Sequence, residues 1–134
     1  MNLVYPTFKA RLLNLFAGAG MPGSASLWVL GVDDSYVYSE GHSRTSDIGG
    51  ESIVIPETEL TGASIAGTLI SADDIEINEL EGGRDCVAII VFFRWADETQ
   101  LLCYLDSTEN GSLPQSIVTG KFKIEWSDSG ICRI

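Results

Sequence analysis

The chain has one histidine, three cysteines and only eight Lys plus Arg in 134 residues, and each shortage closes off a class of chemistry. With His42 as the sole imidazole, a Ser or Cys nucleophile has one base to draw on. That base sits in the polar run Gly41-His42-Ser43, with no G-x-S-x-G turn nearby, and reads as an ordinary exposed histidine. One imidazole and scattered thiols do not make a zinc tetrahedron. Cys86, Cys103 and Cys132 are an odd number without a C-x-x-C pair, and each lies in an apolar, strand-like context. Buried free thiols are the expectation, with folding in a reducing compartment such as a cytoplasm. Eight cations against nineteen Asp plus Glu leave a formal charge of -11, which cannot supply the clustered positive surface that nucleic acid requires. No window approaches the roughly 20 apolar residues of a membrane span. Lys9 and Arg11 lie inside the first apolar stretch instead of ahead of it, unlike a signal peptide.

What is present is a single globular domain of 45% hydrophobic residues, large enough for one core. Thr7 can cap a helix in which Phe8, Leu12, Leu15 and Phe16 recur at helical spacing, ended by Gly18 and Gly20. The remainder reads as strands and turns. Residues 27 to 32 form a compact apolar run bounded by Ser26 and Asp33-Asp34, the mark of a buried strand. Residues 34 to 50 are polar, with Tyr36, Val37 and Tyr38 as their apolar cluster, and read as a long surface connection. Ile53-Val54-Ile55 is expected to stop at Pro56, which has no N–H for a ladder. Short strands follow within 60–65 and 67–70, and Asp74 to Asn78 alternates with one dry face. Val87 to Phe93 has no polar interruption and is predicted to be central, with Leu101 to Leu105 as its antiparallel partner. A second long loop over 106–120 leads to the alternating strand around Phe122, Ile124 and Trp126, and Ile131 to Ile134 closes the sheet. The fold class is therefore mainly β, a sandwich or barrel-like antiparallel sheet with one N-terminal α-helix. Residues 1–26 form an arm and helix, and 27–134 the β core.

The carboxylate pairs Asp33-Asp34, Asp73-Asp74, Glu79 with Glu81, and Asp97-Glu98 could suggest acid–base or calcium chemistry. Adjacent strand residues point to opposite faces, however, and none of the pairs fits a D-x-D-x-D-G loop. Gly18-Ala19-Gly20 follows a helix instead of opening one, so it is no phosphate cradle. No reactive constellation, cofactor site or metal site emerges, and the chain is expected not to be an enzyme.

One stretch carries a resemblance. Gly67-Thr68-Leu69-Ile70-Ser71-Ala72-Asp73-Asp74-Ile75-Glu76-Ile77, then the apolar strand Ala88 to Phe93, resembles a family of small tailed-phage virion proteins. Gln100 to Asp106 is similar to that family's "LIAYID" segment, and Lys123 to Ile131 to its closing "ITWD..GI" strand and turn. The front half agrees in layout only. The chain departs in its cysteines and in Phe92-Phe93-Arg94-Trp95, where relatives tend to have a Tyr-Lys pair. The resemblance implies a capsid decoration (cement) protein that binds the outer surface of a phage head and stabilises contacts between major capsid subunits. It would act as a homo-oligomer, expected to be a trimer, on the virion exterior, with neither nucleic acid nor membrane as partner. Strong acidity suits the outside of a head better than its DNA-lined interior. Leu3, Val4 and Tyr5 precede the helix without a place in the strand pattern, which makes them candidates for contact with the shell.

Two alternatives have different signatures. A tail or head-to-tail connector component would assemble as a ring. A carbohydrate-binding β-sandwich used in adsorption would offer Trp28, Trp95 or Trp126 as a stacking platform.

Overall fold

The computed structural model describes residues 3–6, 26–66, 69–77, 85–95, 98–105, 107–108, 111–112, 115–116, 122–124, 126 and 131–133. Its strands are β1 (Leu3–Val4), β2 (Ser26–Val32), β3 (Ile53–Glu59), β4 (Ser64–Ala66), β5 (Leu69–Ser71), β6 (Ile75–Ile77) and β7 (Asp85–Cys86). They continue with β8 (Ala88–Trp95), β9 (Glu98–Leu105), β10 (Ser107–Thr108), β11 (Gly111–Ser112), β12 (Gln115–Ser116), β13 (Phe122–Ile124) and β14 (Cys132–Arg133). The protein is mainly β and antiparallel. The helix expected after Thr7 lies outside the described residues.

Four long strands and the two-residue β1 form one sheet in the order β1-β9-β8-β2-β3. The unbroken apolar run predicted to be central is β8, buried from Ala88 to Phe93 between β9 and β2. Its residues divide with the strand period of two. Ile89, Val91 and Phe93 enter one apolar cluster, and Ala88, Ile90 and Phe92 enter another on the opposite face. β2 does the same, sending Leu27 and Val29 one way and Leu30 and Val32 the other. On β9 the alternation slips. Val91 faces Cys103 while Phe92 faces Leu101, so Leu102 is the extra residue of a bulge. Leu101 thereby joins one cluster, and both Leu102 and Cys103 the other.

The larger cluster is completed by Ile70 of β5, Ile77 of β6, Cys86 of β7, Ile124 of β13, Trp126 and Ile131. These come from small antiparallel pairings: β14-β5-β4, β13-β6 and β12-β7. Every pairing among the described strands is antiparallel, including the expected partnership of β8 with β9.

Pro56 does not end its strand, contrary to the sequence reading. β3 runs through it to Glu59, because β3 is the sheet's edge and a missing N–H on an outer edge disrupts no ladder. Register shifts against β2 flank this region, and Pro56, Glu57 and Glu59 are exposed. Proline, charge and bulge together blunt an edge that would otherwise template foreign strands.

Candidate functional site

The other edge belongs to the N-terminal arm. β1 pairs Leu3 with Tyr104 and Val4 with Cys103, and the Tyr5 N–H donates to the Leu102 carbonyl at 2.9 Å. The rest of the outer edge of β9 is covered by the connection between β2 and β3. There the Leu101 N–H donates to the Ser43 carbonyl at 2.8 Å, and the Thr45 N–H to Thr99 Oγ1 at 3.1 Å.

That connection, residues 33 to 52, is closed at its neck. The Asp33 N–H donates to the Ser52 carbonyl at 2.9 Å, and the Ser35 and Ser52 hydroxyls meet at 2.7 Å. Asp33 also accepts the Ser35 N–H at 3.0 Å, the local side-chain turn that aspartate favours. Read from sequence as a surface loop, it instead folds inward. Tyr36 and Ile48 are buried in the second apolar cluster, on the face of the sheet opposite the small pairings.

All four tyrosines of the chain and its one histidine converge here. Ring centroids lie 4.9 Å apart for Tyr5 and Tyr38, 6.2 Å for Tyr36 and Tyr104, 5.6 Å for Tyr38 and Tyr104, and 5.5 Å for Tyr36 and His42. A hydroxyl chain threads them: Tyr5 Oη to Tyr36 Oη at 2.6 Å, then Tyr36 Oη to His42 Nδ1 at 2.9 Å. Burial, reinforced by the bond to Tyr36, holds the Tyr5 hydroxyl far above the usual phenol range. Tyr36 is raised mainly by burial, and Tyr38 by burial and then by Glu40.

Of the three residues proposed to touch a partner, Tyr5 is 0% exposed and packs inside the molecule. A side chain so enclosed has no surface with which to dock, so its role here is to seat the arm. Leu3 and Val4 lie on the terminal strand of the sheet order. Val37, next in sequence to Tyr38, is 74% exposed, the one exposed large hydrophobic side chain among the described residues.

His42, read as an unremarkable exposed side chain, is half-buried and bonded to Tyr36. Sequence spacing alone could not have found this pairing, although an aromatic pair close before a lone histidine was a usable hint. Asp47 accepts the N–H groups of Ser43 and Arg44 at 2.9 and 3.1 Å, and those bonds hold its carboxyl below the ordinary range.

The Asp73-Asp74 pair does not converge on one point. Asp74 Oδ1 accepts the Trp126 N–H at 2.8 Å, while Asp73 Oδ2 accepts the Thr61 hydroxyl at 3.3 Å. Gly62 has a φ of 65°, and a Cβ there would lie 2.6 Å from the Asp73 carboxylate, so both backbone and space demand glycine. Cys86 and Cys103 are buried thiols outside any disulfide, and burial pushes the Cys86 thiol up to about 12. Among the described residues no group of three His, Cys, Asp or Glu side chains gathers as metal ligands would. Nor is any helix among them long and apolar enough to cross a membrane.

Trp28 and Trp126 are similarly engaged. The Arg94 guanidinium lies 4.4 Å from the Trp28 ring centroid and is ion-paired with Glu57, so it covers the ring as a cation–π partner. Trp126 is 8% exposed and donates its indole N–H to the Asp73 carbonyl at 3.0 Å. The side chain of Trp95 lies outside the described set. No protein-family model, curated protein or solved structure matches the chain.

Proposed function

We propose that this chain is a non-enzymatic virion structural protein, a capsid decoration protein of a tailed phage. It would bind the outer surface of the head and bridge neighbouring major capsid subunits. The observations that carry the reading are the terminal strand β1 and the exposed Val37. Tyr5, which follows β1, packs against Tyr38, which follows Val37. An edge strand presents backbone groups and an apolar side chain presents area, which is what a shape-recognising contact uses.

Two further features support it. Several chemistry-bearing side chains among the described residues are occupied in holding the fold: His42 on Tyr36, Asp47 on backbone N–H groups, Asp73 on Thr61, Asp74 on Trp126. The resemblance of residues 67–134 to small virion proteins supplies the context, and the sheet with its layer of small pairings suits a β-sandwich brick. A charge of -11 favours the exterior of a DNA-filled shell.

In this reading Leu3 and Val4 offer the outer edge of β1 to the capsid protein, and Tyr5 holds that edge in place. The protein acts as a homotrimer at threefold positions. The test adds purified wild type and Val37→Asp to decoration-free heads and measures co-sedimentation and native mass. Saturable binding by a trimer, weakened at least about tenfold by Val37→Asp with unchanged thermal unfolding, is expected for a buried apolar contact. Absence of wild-type binding to heads, or a stable hexameric or dodecameric ring, overturns the assignment.

A further inference from the structure

The direction of the hydroxyl chain can be fixed from burial alone. The Tyr5 hydroxyl keeps its proton and is enclosed in the core, and among the described residues its hydrogen-bond partner is Tyr36 Oη at 2.6 Å. An enclosed O–H without an acceptor is costly, so Tyr5 donates to Tyr36. Tyr36 has one proton of its own, and it must then donate to His42 Nδ1 at 2.9 Å. Nδ1 can accept only if it carries no hydrogen. His42 is therefore neutral, with its proton on Nε2.

We propose that His42 is a proton-operated latch on the N-terminal strand: the arm is held while Nδ1 accepts, and loosens when His42 becomes imidazolium. An imidazolium has an N–H at both nitrogens and can only donate. Nδ1–H would then donate to Tyr36 Oη, and the Tyr36 proton loses its acceptor. The Tyr5–Tyr36 contact can hold one of the two hydroxyl protons, so one O–H of the enclosed pair is left unpaired.

That pair joins the residue after β1 to the aromatic seat. The loss falls on an arm that, among the described residues, pairs at Leu3 and Val4 and through the Tyr5 N–H. Charged and phenolic groups lie around the latch. On the loop of His42, Asp47 lies within electrostatic reach of it, next to Arg44, and Glu40 acts on Tyr38. From β9 the phenol of Tyr104 packs against Tyr36, and from β1 comes Tyr5 itself. Asp47 attracts the imidazolium, but it is solvent-exposed, where screening weakens that attraction. The stranded hydroxyl is enclosed and receives no such relief. A shell protein with this latch, in the function proposed above, would keep its docking edge while His42 is neutral and release it when His42 is protonated.

The test uses the full chain and two NMR readouts. Imidazole nitrogen shifts at neutral pH report the tautomer of His42. Hydrogen exchange, corrected for its intrinsic pH dependence, is followed at two amides: Tyr5, which donates to Leu102, and Ile131, which donates to Ile70 in the other layer. The expected result is an Nε2–H tautomer. Protection at Tyr5 should fall roughly tenfold or more as His42 titrates, with Ile131 unchanged, the order expected for one stranded buried hydroxyl. His42→Gln, which keeps a neutral acceptor, should hold Tyr5 protection constant over the same range. An Nδ1–H tautomer overturns the proposal. So does a wild-type profile at Tyr5 that is flat, shared by Ile131, or reproduced in His42→Gln. Should the variant not fold, the tautomer and the two wild-type amides decide between the same outcomes.

Discussion

Replacing Tyr5 and Tyr36 by phenylalanine, singly and together, separates two substitutions that each delete one hydroxyl. Tyr5→Phe removes the donor at the buried end of the chain. Tyr36 keeps its bond to His42 Nδ1 and loses only an incoming proton. The expected cost is that of one net hydrogen bond, about 1 kcal/mol. Tyr36→Phe removes the middle of the chain and leaves the enclosed Tyr5 O–H without its acceptor. The unmet desolvation of a buried donor then adds to the lost bonds, for a total of roughly 2–3 kcal/mol. In the double variant no hydroxyl is stranded, so its cost falls below the sum of the singles by roughly 1 kcal/mol. Urea unfolding at neutral pH reads these differences as shifts in midpoint at constant slope. In thermal unfolding each kcal/mol is about 3–5 °C for a domain of this size. Tyr5→Phe costing as much as Tyr36→Phe, or strict additivity of the two, would refute the direction assigned to the chain.

Three other outcomes follow from local geometry. A Cβ at Gly31 would lie 2.8 Å from Ile55 Cδ1 and 2.9 Å from Ile55 Cβ and Cγ1. Gly31→Ala should thus destabilise by about 1–3 kcal/mol in urea unfolding, a neutral result being incompatible with this close crossing of β2 and β3. Asp47 has its carboxyl lowered by the N–H groups of Ser43 and Arg44, so its contribution is present above the ordinary aspartate range. It is lost as pH falls through the lower folded value. The Ser43 and Arg44 amide resonances should move together in that acid window, and Asp47→Asn should abolish the movement. The Cys86 thiol, raised to about 12 by burial, should be inert to a thiol reagent at pH 8 in the folded protein and react at the rate of unfolding. Rapid labelling of Cys86 in the native state would contradict its burial.

Much of the main sheet was readable because burial on two faces leaves a compositional trace. Ala88 to Phe93 has no polar residue, and only a strand covered on both sides tolerates that. Residues 27 to 32 were legible for the same reason. Pro56 misled because the rule against proline applies to paired N–H groups, and nothing in the local sequence says that β3 is an edge. The aromatic seat was less visible still. Two residues, Leu3 and Val4, are too short for any period, and the burial of Tyr5 depends on Tyr36 and Tyr38, over thirty positions away. Residues 33 to 52 looked like a solvated loop because only Tyr36, Val37, Tyr38 and Ile48 are apolar there. Ile48, isolated among polar neighbours yet buried, was the trace that the loop folds back on the sheet. The engagement of His42 is a pairing in space, and composition carries no record of it.

Cryo-electron microscopy of heads with and without added protein tests the central assignment most directly. The account predicts threefold-symmetric density on the outer shell, with β1 and Val37 turned toward the capsid lattice. Density confined to the tail or the portal vertex, or an undecorated shell at saturating protein, would contradict it.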